Sequence, residues 1–141
     1  MAPIPVGTVG ETITLSSYFD GWGYVHLFEN GAGKLTELDT YAVPEAHDPA
    51  YAEGYGDLSV HEVATSQVDP TIAYLAYYSA GFRVIDIQNG ELVEVGGYLD
   101  PMGNNFWGVE VFVRDGVEYV AASDRDYGLY IFQYTPLEPA P

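Results

Sequence analysis

Cysteine is absent from the chain, which rules out disulfides, thiolate nucleophiles and zinc–thiolate sites. Basic residues are nearly absent as well. Four Lys and Arg stand against 21 Asp and Glu, for a formal net charge of -17. A surface of that sign repels nucleic acid and anionic membranes, so neither is expected as a partner. Long hydrophobic runs are missing, and no stretch approaches the ~20 apolar residues of a membrane-spanning helix. The opening Met1-Ala2-Pro3-Ile4-Pro5 lacks the basic and apolar regions of a signal peptide. Any export signal is therefore expected in a longer precursor or nowhere. No window of about ten residues sustains a 3.6-residue period, so helix is expected only as single turns.

What is present points to strands. Apolar residues make up 48% of the chain, which argues against disorder, and 13 of the aromatics are Tyr. Glycine (16) and proline (9) punctuate these runs. Tyr, Val and Ile separated by turn residues predict an all-β chain, and 141 residues suffice for a single domain.

A segment recurs three times: Gly21-Trp22-Gly23-Tyr24-Val25-His26-Leu27-Phe28-Glu29-Asn30-Gly31, Ser79-Ala80-Gly81-Phe82-Arg83-Val84-Ile85-Asp86-Ile87-Gln88-Asn89-Gly90, and Asp126-Tyr127-Gly128-Leu129-Tyr130-Ile131-Phe132-Gln133-Tyr134. The first two end in Asn-Gly, a strong hairpin signal. The flanks also repeat, Leu35, Glu37, Leu38 and Tyr41 matching Leu92, Glu94, Val95 and Tyr98. Each unit reads as up to four strands. The middle one is complete, with strands near 59–64, 72–79, 82–87 and 91–98. The first shows three, near 12–18, 23–28 and 34–41, and the last shows three, near 107–113, 117–123 and 128–134. Unit boundaries fall near 11–43, 58–100 and 106–135, with a loose tail over 136–141. Val43–Asp57 reads as a long irregular connection of the kind that often carries function.

Repeated four-stranded units are the signature of β-propeller blades, in which stacking buries faces that a lone sheet leaves wet. Gly81-Phe82-Arg83-Val84-Ile85-Asp86-Ile87 resembles the core of the LVIVD repeat, a propeller repeat. Gly23–Phe28 is a weaker copy, with His26 where the pattern takes Val or Ile. Gly128–Phe132 lacks the Asp. The resemblance implies the C-terminal part of a propeller and a secreted or cell-surface location, and it says little about activity. About three blades cannot close a ring of 4–8, so the chain is expected either to belong to a longer parent or to form a homo-oligomer that completes the ring.

Chemistry-bearing residues are few. His61 and Glu62 fall on the first strand of the complete unit, and Glu110 falls at the position equivalent to Glu62. Together they make a candidate metal or acid–base cluster in a central channel, or simply polar groups facing trapped water. Asp124 and Asp126 alternate in an acidic turn that could hold calcium, although a calcium loop needs more ligands; the competing reading pairs Arg125 with a carboxylate. Trp22 and Trp107 sit at strand entrances, as rim residues gripping a partner or as wedges between blades. His47 and Tyr51 lie in the long connection. No His-Glu-x-x-His, Gly-x-Ser-x-Gly or phosphate-binding loop occurs. The expectation is a non-catalytic module binding protein or carbohydrate. A metal-dependent hydrolase or lyase and a self-assembling structural module are the alternatives.

Overall fold

The computed structural model describes residues 23–51 and 56–136. The strand expected near 12–18, Trp22 and most of the tail lie outside them. Among the described residues, nine strands form three antiparallel sheets. The first sheet holds β1 (Val25–Gly31) and β2 (Lys34–Tyr41). The middle sheet runs β3 (Glu62–Thr65), β4 (Ile72–Ala76), β5 (Phe82–Gln88) and β6 (Glu91–Tyr98). The last runs β7 (Phe106–Arg114), β8 (Val117–Asp124) and β9 (Gly128–Phe132). Every strand pairs with its neighbour in sequence, so each sheet is a meander. Among the described residues there is no α-helix. Two 3-10 turns, Pro44–His47 and Pro49–Tyr51, occupy the long connection.

The repeat is visible in the pairing. Adding 57 to the partners Val25 and Tyr41 gives Phe82 and Tyr98, which are also partners. Both hairpins carry a bulge at the same place. Leu38 lies unpaired between Glu37 and Asp39, and Val95 lies unpaired between Glu94 and Gly96. This spacing corrects two sequence expectations. The first hairpin does not turn at Asn30-Gly31, because Gly31 still pairs with Lys34. The turn is Ala32-Gly33, with φ of 52° and 79°, the counterpart of Asn89-Gly90 at 54° and 87°. A two-residue hairpin needs positive φ at both central positions, and Ala at the first gives no warning of it. The same offset moves His26 onto the position of Arg83 rather than onto an apolar position.

The sheets pack face to face around two cores that share β4. Ile72, Tyr74 and Ala76 join Phe82 and Val84 against Phe106, Val109, Val111, Val120 and Ala122 of the last sheet. Leu75 and Tyr77 join Ile85, Ala80 and Val43 on the opposite side, towards the first sheet. All five β4 residues are buried. Alternation along a strand sends successive side chains to opposite faces, so an uninterrupted apolar strand is what a sheet covered on both sides requires.

Candidate functional site

Of the three residues that the sequence marks for a channel cluster, His61 and Glu62 lie where the middle and last sheets meet at β3 and β7, and Glu110 does not. His61 N–H donates to Ala76 C=O at 2.9 Å, extending the β3–β4 pairing by one residue. Its ring lies 5.1 Å from that of Trp107 and 5.3 Å from that of Tyr78, centroid to centroid. Trp107 is placed there by a bulge. Phe106 pairs with Asp124 and Gly108 with Ser123, which leaves Trp107 as the extra residue. Such an insertion re-aims a side chain. Phe106 thereby enters the core with 0% exposure, while Trp107 stays 50% exposed beside His61. Phe106 packs in the core between the middle and last sheets, and Trp107 does not.

Tyr78 was read as part of a strand and missed as a site residue. β4 ends at Ala76, and Tyr78 has φ of 40°. A bulky residue at positive φ is held there only by its surroundings. Here an isolated bridge does the holding, with Tyr78 N–H to Phe106 C=O at 2.9 Å and Phe106 N–H to Tyr78 C=O at 3.1 Å. Gly81, two residues after Ser79, was the available sign that the chain turns here. At φ 90°, its missing Cβ would sit 2.4 Å from Tyr98 C=O.

Glu62 and Glu110 do not share a site. Glu62 Oε2 accepts from Val109 N–H at 2.9 Å, and Gln67 Nε2 donates to Val111 C=O at 2.7 Å. The middle sheet thus satisfies backbone groups of β7 that no neighbouring strand takes up. Val109 and Val111 face the middle sheet and are buried, so Glu110 between them points to the opposite face, where it is exposed. Among the described residues, no three His, Asp or Glu converge as a metal-ligand set.

The acidic turn is a closed hydrogen-bonded unit. Asp124 Oδ2 accepts from Asn104 Nδ2 (3.0 Å) and Asn105 N–H (2.8 Å), and its Oδ1 accepts from Asp126 N–H (2.8 Å) and Tyr127 N–H (2.9 Å). Four donors fill the roughly four lone-pair positions of a carboxylate. Burial pushes the Asp124 pKa up, but the donors from Asn105, Asp126, Tyr127 and Asn104 outweigh it and hold the carboxyl below its ordinary value. Asp126 accepts from Asn105 Nδ2 at 3.3 Å. The arrangement fixes Asn104 and Asn105, which lead into β7 just ahead of Trp107.

The long connection is pinned at its start. Val43, 2% exposed, donates its N–H to the Tyr77 hydroxyl at 3.2 Å. His47 stacks edge-on against Tyr24 at 5.1 Å, with the Tyr24 hydroxyl 3.2 Å from His47 Nδ1. Tyr51 closes the second 3-10 turn, its N–H donating to Asp48 C=O at 3.0 Å. Separately, a half-open cleft of about 350 Å³ between the middle and last sheets is lined by Ser66, Asp69, Tyr74, Glu118 and Tyr134, among others. The carboxylate of Glu118 is fully used there by Ser66, Gln67 N–H and the Tyr74 hydroxyl.

No protein-family model and no curated protein matches this chain.

Proposed function

We propose that the three sheets are blades of a β-propeller, related to the LVIVD repeat, and that the chain is a non-catalytic module. It binds a protein or carbohydrate partner through the rim built from His61, Tyr78 and Trp107. One observation carries this reading: a bulge lifts Trp107 out of a core that takes its neighbour Phe106, and leaves it half exposed against His61, whose ring also meets that of a strained Tyr78. Large flat side chains held at the surface by strain and bulging are disposed to contact a ligand rather than to fill space. The meander sheets, the 57-residue repeat and the face-to-face packing support the blade reading. The charge of -17 favours neutral or cationic partners, and a secreted or cell-surface location agrees with such contacts.

The test uses fluorescence in a Trp22→Phe background, where Trp107 is the one remaining indole. Soluble polysaccharides and basic peptides are titrated in turn. A partner of the rim shifts Trp107 emission. Trp107→Ala abolishes its binding, measured by calorimetry, without moving the melting temperature. A partner that binds Trp107→Ala unchanged removes the rim from the function.

A further inference from the structure

The two internal interfaces follow one rule, and the rule leaves two faces over. The middle sheet presents one face to the first sheet and the other to the last. On the middle sheet, Ile72, Tyr74, Phe82 and Val84 face the last sheet and are 6%, 3%, 3% and 3% exposed. Adding 47 to the partners Ala76 and Phe82 gives the partners Ser123 and Leu129, and adding it to Tyr74 and Val84 gives Ala121 and Ile131. The counterparts in the last sheet are therefore Tyr119, Ala121, Leu129 and Ile131, an apolar face with Phe112 stacked on Tyr119 at 5.6 Å. There Leu129 is 70% and Ile131 51% exposed.

The first sheet shows the complementary remainder. On the middle sheet, Arg83, Ile85, Leu92 and Glu94 form the face that receives the first sheet. Arg83 Nη1 lies 2.9 Å from Glu94 Oε1, and Glu94 accepts the Tyr41 hydroxyl. Subtracting 57 gives His26, Phe28, Leu35 and Glu37. His26 Nδ1 lies 2.8 Å from Glu37 Oε2, so the basic–acidic pair is repeated across the same two strands. Phe28 is 46% and Leu35 63% exposed.

We propose that these faces meet between two copies of the chain, the Leu129/Ile131 face of each docking on the Phe28/Leu35 face of the other. The occupant is a second copy because the receiving face it offers is the repeat of one already used inside the chain, so the contact continues an existing interface. Unlike faces pair head to tail, and such contacts close when the rotation per unit allows. The three described sheets from each of two copies make six, within the range of about 4–8 blades for closed propellers. This rests on the blade reading but not on the rim, since neither face includes His61, Tyr78 or Trp107.

Sedimentation equilibrium of the full chain tests it, with Ile131→Glu and Phe28→Glu as separate variants. Both positions are exposed, so the variants keep the wild-type circular dichroism and melting temperature at low concentration. The expected result is a wild-type species of twice the 15.4 kDa chain mass, with a dissociation constant raised about tenfold or more in each variant, a loss near 1.4 kcal/mol. Mixing the two variants gives a dimer tighter than either variant forms alone, since one of its two contacts then joins unaltered faces. A monomeric wild type overturns the proposal. So does a dimer indifferent to Phe28→Glu, which would mean like faces pairing. An Ile131→Glu variant that unfolds instead of dissociating also overturns it, because residues of the same chain, such as 1–22, would then be the cover. The rim is judged independently by Trp107→Ala, whose dimer is unchanged.

Discussion

The contact between the first and middle sheets and that between the middle and last sheets differ in chemistry, although one repeat generates both. The first is held by polar groups. Tyr41 donates to Glu94, Arg83 pairs with the same carboxylate, Asp39 accepts from Leu92 N–H at 2.7 Å, and Tyr77 accepts from Val43 N–H. The second is held by rings. Phe82 stacks on Phe132 at 4.4 Å and meets Phe106 edge-on at 6.5 Å, and Tyr98 lies 5.3 Å from Phe132. One substitution in the repeat accounts for much of this. The position of Arg83 in the middle sheet is Tyr130 in the last, by the pairing with Leu75 and Ala122. Where Arg83 sits against the Glu94 that accepts the Tyr41 hydroxyl, Tyr130 instead lies 5.8 Å from the Tyr98 ring, and the buried cluster is larger.

Removing a ring should therefore break more than removing a charge. Phe106→Ala is expected to cost about 3–5 kcal/mol, read as a lower urea midpoint. A cost no larger than that of a first-contact variant would erase the contrast. Glu94→Ala strands the Tyr41 hydroxyl and Arg83 at a partly exposed site and is expected to cost about 1–2 kcal/mol by the same assay.

These contrasts were partly legible in the sequence. β2 and β6 were placed to the residue, because alternation and the matched Leu35/Leu92 and Glu37/Glu94 pairs fix both period and register. The Ala32-Gly33 turn was not, since alanine carries no signal for positive φ. The site was harder. His61 and Trp107 were singled out separately, but their meeting depends on a bulge at Trp107, and no composition rule marks a bulge between two large aromatics. Glu110 was matched to Glu62 by sequence, yet it pairs with Ala121 on the outer face of the last sheet, while Glu62 faces the junction of the middle and last sheets, so the two never meet.

Acid should act first on the middle–last contact. Burial alone would raise the Glu118 pKa, but the Tyr74 and Ser66 hydroxyls and Gln67 N–H lower it on balance, as the donors to Asp124 do there. A folded-state pKa held below the unfolded one stabilises fully above the unfolded value and is lost as pH falls through the folded one. Thermal stability should thus decline as pH drops below the ordinary values of 4.5 and 3.8. Asp124→Asn, scanned by calorimetry, should flatten that decline; an unchanged slope would remove Asp124 from it.

Alkali gives the smallest expected effect, at the first contact. Burial pushes the Tyr77 hydroxyl up to about 12, against the lowering effect of Val43 N–H. A raised folded-state pKa gives stability that is complete below the ordinary 10.0 and lost as pH climbs towards 12. Tyr77→Phe should lessen that loss in melting curves taken across the window, and an identical loss in both proteins would assign it elsewhere, for instance to Tyr41 or Tyr74, which burial also raises.

β4 has no water-facing side, and its alternate residues belong to different cores. Neither outer sheet can peel away without wetting one side of the strand on which the other still rests. The chain should accordingly melt in one cooperative step despite its three separate sheets, with the amides of Ile72–Ala76 the last to exchange their hydrogens with solvent.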